Sequence, residues 1–176
     1  MPKHYAYRMK HDTGFAPHIY QELCTLSGCK KTTIEVWAEK GSWVIGIGGK
    51  RTGQADKLIY ALQVEENQPV SEFWLRYSHQ SRYLTQERAG SNVLISRKFY
   101  YFGDNAIELP KALRDIVVKG RGCKRVSVEQ AERLEAYLAT RYPYGRLGSP
   151  NNRDRGWNAC EPAQQQTRAR GTRRKC

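Results

Sequence analysis

The apolar residues of this chain come in short runs of strand length, broken by glycine or polar segments, and only one stretch sustains a helical period over several turns. Residues 3–9 alternate strictly, with Tyr5, Tyr7 and Met9 on one face and His4, Ala6 and Arg8 on the other, as a half-buried strand requires. Residues 43–48 alternate Trp43, Ile45 and Ile47 with Val44, Gly46 and Gly48, so one face of a second strand admits a close neighbour, either backbone or a ligand ring. Residues 58–64 supply a third strand, antiparallel to the second, and 92–97 with 98–102 supply one long strand or two joined by a bend. Residues 11–31 hold no period and read as a long structured loop, of the kind that carries function more often than packing.

The helices are few. Thr32 or Thr33 can cap a short one that buries Ile34, Trp37 and Ala38 and stops at Gly41. Residues 69–77 suit a second, burying Phe73 and Trp74, and residues 109–118 a brief third. The best begins at Ser127, where Gln130 three residues on completes a capping box; its stripe is Val128, Ala131, Leu134 and Leu138, and Pro143 ends it. This pattern gives an α+β domain over residues 1–148, built on a small curved antiparallel sheet or barrel with peripheral helices. Residues 149–176, rich in Asn, Arg, Gln and Gly, read as a basic, flexible, disordered tail.

Charge narrows the partners. The chain carries 30 Lys and Arg against 17 Asp and Glu, a formal +13, and eight of those cations against two acids fall after Gly145. Cations that neutralise phosphates gain free energy from released counterions, so DNA or a nucleotide fits this balance better than a membrane. No apolar run reaches the ~20 residues that span a bilayer. The N-terminal residues form no secretory signal, and five irregularly spaced cysteines do not make a disulfide framework, so the expectation is a cytoplasmic protein with free thiols.

Several clusters can carry chemistry. Cys24 and Cys29 flank a turn and precede Lys30 and Lys31, whose charges would favour a thiolate; two small residues packed in a core use the same pattern. With His11 and His18 they match no common zinc spacing, so no metal site is expected. Asp12, Thr13 and Gly14 suit a polar ligand or a plain Asx turn. Lys50 and Arg51 follow two glycines without forming a P-loop, yet can meet a phosphate. Ser96 and Arg97 lead into Phe99 and Tyr101, which by parity share a face with Arg97 and would line a cavity with Arg97 at its rim. Lys119, Arg121, Lys124 and Arg125 stand in a glycine-containing loop directly before the Ser127 helix, where free N–H groups and the helix dipole favour anions.

Residues 12–17 (Asp-Thr-Gly-Phe-Ala-Pro), Cys24-Thr25-Leu26, Cys29-Lys30, Trp43-Val44-Ile45-Gly46 and Val93-Leu94-Ile95-Ser96-Arg97, with Phe99 and Tyr101-Phe102-Gly103, resemble the nucleotide-modification-associated domain family, second type. The likeness runs from about Tyr5 to Tyr144. Ser42 and Lys31 depart from it, standing where the pattern carries Asp and Pro. Members are associated with DNA base hypermodification in bacteria and phages, and the small curved sheet is also similar to PUA/EVE-type domains that pocket modified bases. The resemblance implies a protein that binds a nucleotide or flipped DNA base and takes part in its modification, beside other proteins of that pathway. A non-catalytic reader of modified bases and an enzyme acting on free nucleotides are the alternatives.

On that reading the base or nucleotide meets Thr13, Gly14, Thr25, Lys30, Lys50, Arg51, Ser96 and Arg97, and the phosphates meet Lys119, Arg121, Lys124 and Arg125. If the protein is an enzyme, Cys24 or Cys29 is the nucleophile and Asp12 the acid/base. The sequence names no cofactor.

Overall fold

A computed structural model describes residues 1–28, 34–77 and 91–152. Cys29, Lys30 and the two candidate caps Thr32 and Thr33 lie outside the described residues, as does most of the expected tail.

Two sheets and three helices make up the described fold. Strands β1 (His4–Met9), β4 (Trp43–Gly48), β5 (Leu58–Gln63), β8 (Phe99–Tyr101), β9 (Cys123–Val126) and β10 (Gly145–Arg146) form one sheet in the order β10-β8-β5-β4-β1-β9. Strands β2 (His18–Tyr20), β3 (Leu23–Leu26), β6 (Glu66–Pro69) and β7 (Asn92–Ser96) form the other in the order β2-β3-β7-β6. The helices are α1 (Ile34–Trp37), α2 (Val70–Arg76) and α3 (Val128–Ala139). The class is α+β, as expected. Of the two shapes foreseen the open sheet is the one found: no barrel closes among the described residues, and the larger sheet is mixed, because β1 pairs with β4 and β10 with β8 in parallel.

The six-stranded sheet is covered on both faces. Tyr5, Tyr7 and Met9 of β1, Tyr60 and Leu62 of β5, and Phe99 and Tyr101 of β8 pack against Cys24, Leu26, Val93 and Ile95 of the second sheet. The opposite face, through Ala6, Trp43, Ile45, Ile47 and Tyr100, meets Ala131, Leu134 and Leu138 of α3 together with Leu113 and Ile116 of a 3₁₀ segment, Lys111–Ile116. The alternation in β1 therefore separates two buried faces rather than a wet face from a dry one. His4 is tolerated inside because its Nδ1 accepts from the Trp43 N–H at 2.9 Å.

Several expectations change with the third dimension. Part of the loop expected over 11–31 forms β2 and β3, strands of three and four residues, too short to show a legible period. β7 and β8 are two strands joined by a bend, the second of the two forms expected, and the bend at Arg97 and Lys98 carries the chain from one sheet to the other. In α1 a single turn buries Ile34, Glu35 and Ala38, while Trp37 stays 55% exposed, because Asn67 holds the carbonyls of Glu35 and Ala38 at 2.9 and 2.6 Å and turns the ring outward. The capping box of α3 forms as the spacing predicts, Ser127 Oγ accepting from Gln130 N–H at 3.1 Å and Gln130 Oε1 from Ser127 N–H at 2.9 Å.

The glycine face of β4 is filled by the protein itself. Gly46 stands opposite Tyr60 in register, and a Cβ there would collide with that ring and with Met9 Sδ; at Gly48 it would strike the Gln54 carbonyl. A glycine is needed at each because the neighbour lies closer than a methyl group allows.

Candidate functional site

Asp12 follows β1 and is 1% exposed. Its Oδ1 accepts from the Tyr101 hydroxyl at 2.7 Å, and its Oδ2 from Asn151 N–H at 3.3 Å. Its own N–H donates to Asn152 Oδ1 at 2.9 Å, while Asn152 N–H returns to the Asp12 carbonyl at 2.8 Å. Burial pushes the carboxyl upward, and the two donors oppose that shift. Asp12 thus ties the end of β1 to β8 and to residues 149–152, a role in holding the chain together. Thr13 is buried beside it, and Gly14, at φ +84°, lies against Pro150, whose Cγ would stand 2.8 Å from any Cβ added there.

Residues 149–152 are docked at several further points. Asn151 Nδ2 donates to the Thr52 carbonyl, Asn152 Nδ2 to the Arg51 carbonyl at 3.4 Å, and Ser149 N–H to Asp104 Oδ1 at 2.7 Å. Sequence composition places Asn151 and Asn152 with the tail and gives no signal of this partnership. The Lys50–Thr52 turn is anchored by its backbone, and the side chains of Lys50 and Arg51 are exposed.

Cys24 is fully buried on β3, opposite Ser96 of β7. Burial alone pushes its thiol well up, the reverse of what a nucleophile needs. Thr25 is equally buried, with Oγ1 directed at the His18 carbonyl at 3.4 Å. Ser96 Oγ meets the Gln63 carbonyl at 2.6 Å and accepts from Lys98 N–H at 2.9 Å, so it shapes the crossover between sheets. Arg97, on that crossover, is exposed, and its backbone N–H donates to the Glu65 carboxylate. Tyr101 thus joins Asp12 in the interior with Cys24 near its phenol, while Arg97 stays exposed on the crossover. Phe99 and Tyr101 are core, not the lining of an open cavity with Arg97 at its rim.

Between the sheets the Tyr7 and Tyr60 hydroxyls share a hydrogen bond of 2.6 Å, their rings edge to face at 6.1 Å. Burial raises both phenols, and Cys24 and Glu35 add to the effect. These groups are neutral at any physiological pH and satisfy one another. Ser42, at the departure from the family pattern, is buried and accepts from Glu39 N–H at 3.0 Å.

The basic loop before α3 is partly strand. Gly120 and Gly122, both at positive φ, turn the chain into β9, which pairs antiparallel with β1. Lys124 then lies alongside Ala6 and sends its amine to the carbonyls of Asp115 and Val117, while Arg125 stacks over the Tyr5 ring at 5.7 Å. Four cations do not gather at the α3 N-terminus, whose capping is supplied by Ser127 and Gln130. Instead Arg114, Asp115, Val117, Lys119, Arg121, Cys123 and Lys124 surround an open depression of ≈ 700 Å³. Its one acid, Asp115, is engaged by Gln130 at 2.6 Å and Arg133 at 3.0 Å, which holds its carboxyl below the usual range. Arg114 is the member that sequence spacing misses, since it comes from the separate 3₁₀ segment.

Among the described residues no three His, Cys, Asp or Glu side chains are grouped to hold a metal, and no helix is long and apolar enough to cross a membrane. No curated protein and no solved structure matches the chain. The family model for nucleotide modification associated domain 2 matches residues 1–83 and 75–156, which takes in both sheets, the depression and the docked residues 149–152. The chain belongs to the nucleotide modification associated domain 2 family.

Proposed function

We propose that this chain is a DNA-binding component of a base-hypermodification system, acting in the cytoplasm, which grips phosphates in the depression beside β9 and presents a nucleotide or a base turned out of the stack. The observation that carries this reading is the depression itself: Arg114, Lys119 and Arg121 are exposed around a hollow of ≈ 700 Å³ whose one acid is already paired. That volume falls within the range of small-ligand sites, and guanidinium groups beside an amine suit an anionic partner such as a phosphate better than a neutral one. Membership of a family associated with nucleotide modification supplies the class of ligand.

Within that reading, recognition without catalysis is favoured over thiol chemistry at Cys24. A sealed thiol with a raised pKa and a carboxyl committed to Tyr101 and Asn151 offer neither nucleophile nor free acid/base. The experiment is fluorescence anisotropy with labelled DNA against the triple variant R114A/K119A/R121A, paired with mass spectrometry of nucleosides from host DNA with and without the gene. Binding that survives the triple variant at unchanged salt dependence would remove the depression from the interface.

A further inference from the structure

We propose that Trp37 is a stacking platform for an unpaired base, with Arg125, Lys3 and Lys40 receiving the neighbouring phosphates, so that the form of nucleic acid gripped here is a single strand or a locally opened duplex. This rests on the nucleic-acid reading above and specifies its substrate.

Large aromatic side chains are rarely left in water, yet Trp37 is 55% exposed. The ring does not ride on a loose segment. Ile34 and Ala38 are buried on the other side of the same turn, and Asn67 fixes its backbone through two carbonyls. A rigid, exposed indole costs little entropy when a flat partner settles on it.

The cations stand around the same corner for independent reasons. The Tyr5 hydroxyl donates to the Trp37 carbonyl at 3.5 Å, and the guanidinium of Arg125 lies 5.7 Å over the Tyr5 ring, so Tyr5 touches both the backbone of Trp37 and the Arg125 head. Pro2 packs on Gly41, its Cγ 3.4 Å from where a Cβ would stand, so the chain at Lys3 runs beside the chain at Lys40, and both lysines are exposed. Glu39 also lies close enough to Tyr5 to act on its phenol beside Arg125.

The corner also connects to the depression. β9 is the edge strand of its sheet, and Arg125 and Cys123 project to the same side of it, two residues apart. From Arg125 to Cys123, which lines the depression, the strand covers about 7 Å. An aromatic face on the same domain as a cationic groove is the combination that binds a single strand: stacking tolerates any base, and the groove follows the backbone. A base inside a duplex has no free face to offer Trp37.

The test is anisotropy titration of the full chain with a labelled 15-nucleotide oligothymidylate and with a duplex of equal length, for wild type, W37A, W37L and W37F. W37A and W37L are expected to weaken single-strand binding by about tenfold, W37F to stay within about threefold of wild type, and duplex affinity to stay unchanged. W37L keeps apolar bulk without a ring, so a loss shared by W37A and W37L but not W37F cannot be a folding defect. Single-strand affinity unchanged in W37L overturns the stacking proposal. If R114A/K119A/R121A weakens binding while W37L does not, the stacking proposal fails alone; if wild type binds neither DNA, the proposed function fails with it.

Discussion

The hydroxyl of Tyr101 donates to Asp12 at 2.7 Å across 89 positions of sequence, joining the end of the first strand to the eighth. Removing the carboxyl leaves that buried phenol and the Asn151 N–H without an acceptor. D12A is therefore expected to cost about 2–4 kcal/mol in urea unfolding. D12N keeps an oxygen for Tyr101 and should cost less; equal losses for the two would show that the hydrogen bonds are not what Asp12 contributes.

Cys24 and Cys123 differ in exposure, and alkylation reports it. Iodoacetamide applied to the native protein should mark Cys123, on β9, and reach Cys24 only after denaturation, as read by peptide mass spectrometry. C24S places a hydroxyl in the apolar interior and is expected to cost about 1–3 kcal/mol while DNA affinity is unchanged. Rapid native labelling of Cys24 would contradict its burial.

Salt dependence isolates the phosphate contacts. For duplex DNA each lost contact should flatten the slope of log K against log salt by about 0.9, so K119A/R121A is expected to lower it by about 1.8. The control K50A/R51A, in the Lys50–Thr52 turn after β4, tests whether that turn shares the load.

His4 imposes a pH dependence of known sign. Burial lowers its pKa from 6.5, with Glu132 and Glu135 opposing, and its Nδ1 must stay unprotonated to accept from Trp43. The unfolded chain binds the proton more readily, so this contribution is complete above pH 6.5 and is lost as pH falls toward the folded pKa. H4N, whose Oδ1 can accept the same bond, should flatten the curve of urea midpoint against pH on the acid side of about 6.5. A wild-type midpoint that rises on acidification across that window would reverse the assignment.

Truncation separates the docked residues from the remainder of the C-terminal segment. A chain ending at residue 148 loses the partners of Asp12, Arg51 and Thr52 and should unfold at clearly lower urea than one ending at residue 152. Equal midpoints would mean that residues 149–152 are passengers.

The long-period and strictly alternating elements were legible in the sequence. β1, β4, β5 and α3 are where the alternation and the capping box put them, because each buries a continuous stripe that residue chemistry alone can register. β2, β6 and β10 were not legible: they are two to four residues long and held by pairing with other strands, which leaves no local period. The same limit governs the site. Asp12 and the basic loop could be picked out by residue type, but whether Asp12 faces a ligand or Tyr101 depends on Asn151 and Asn152, the latter 140 positions away. Trp37 reads as core by helical spacing, and only the carbonyl clamp from Asn67 shows which way the turn is rolled.

The clasp between Asp12 and residues 151–152 also sets an order of events during synthesis. Its two halves lie 140 positions apart, so in the emerging polypeptide Tyr101 can reach Asp12 first, while the second carboxylate oxygen waits for the Asn151 N–H until residues 151–152 are made. Completion of the Asp12 corner is therefore a later step than the contact between Asp12 and Tyr101, and a product released before residue 151 would lack this clasp at the end of β1.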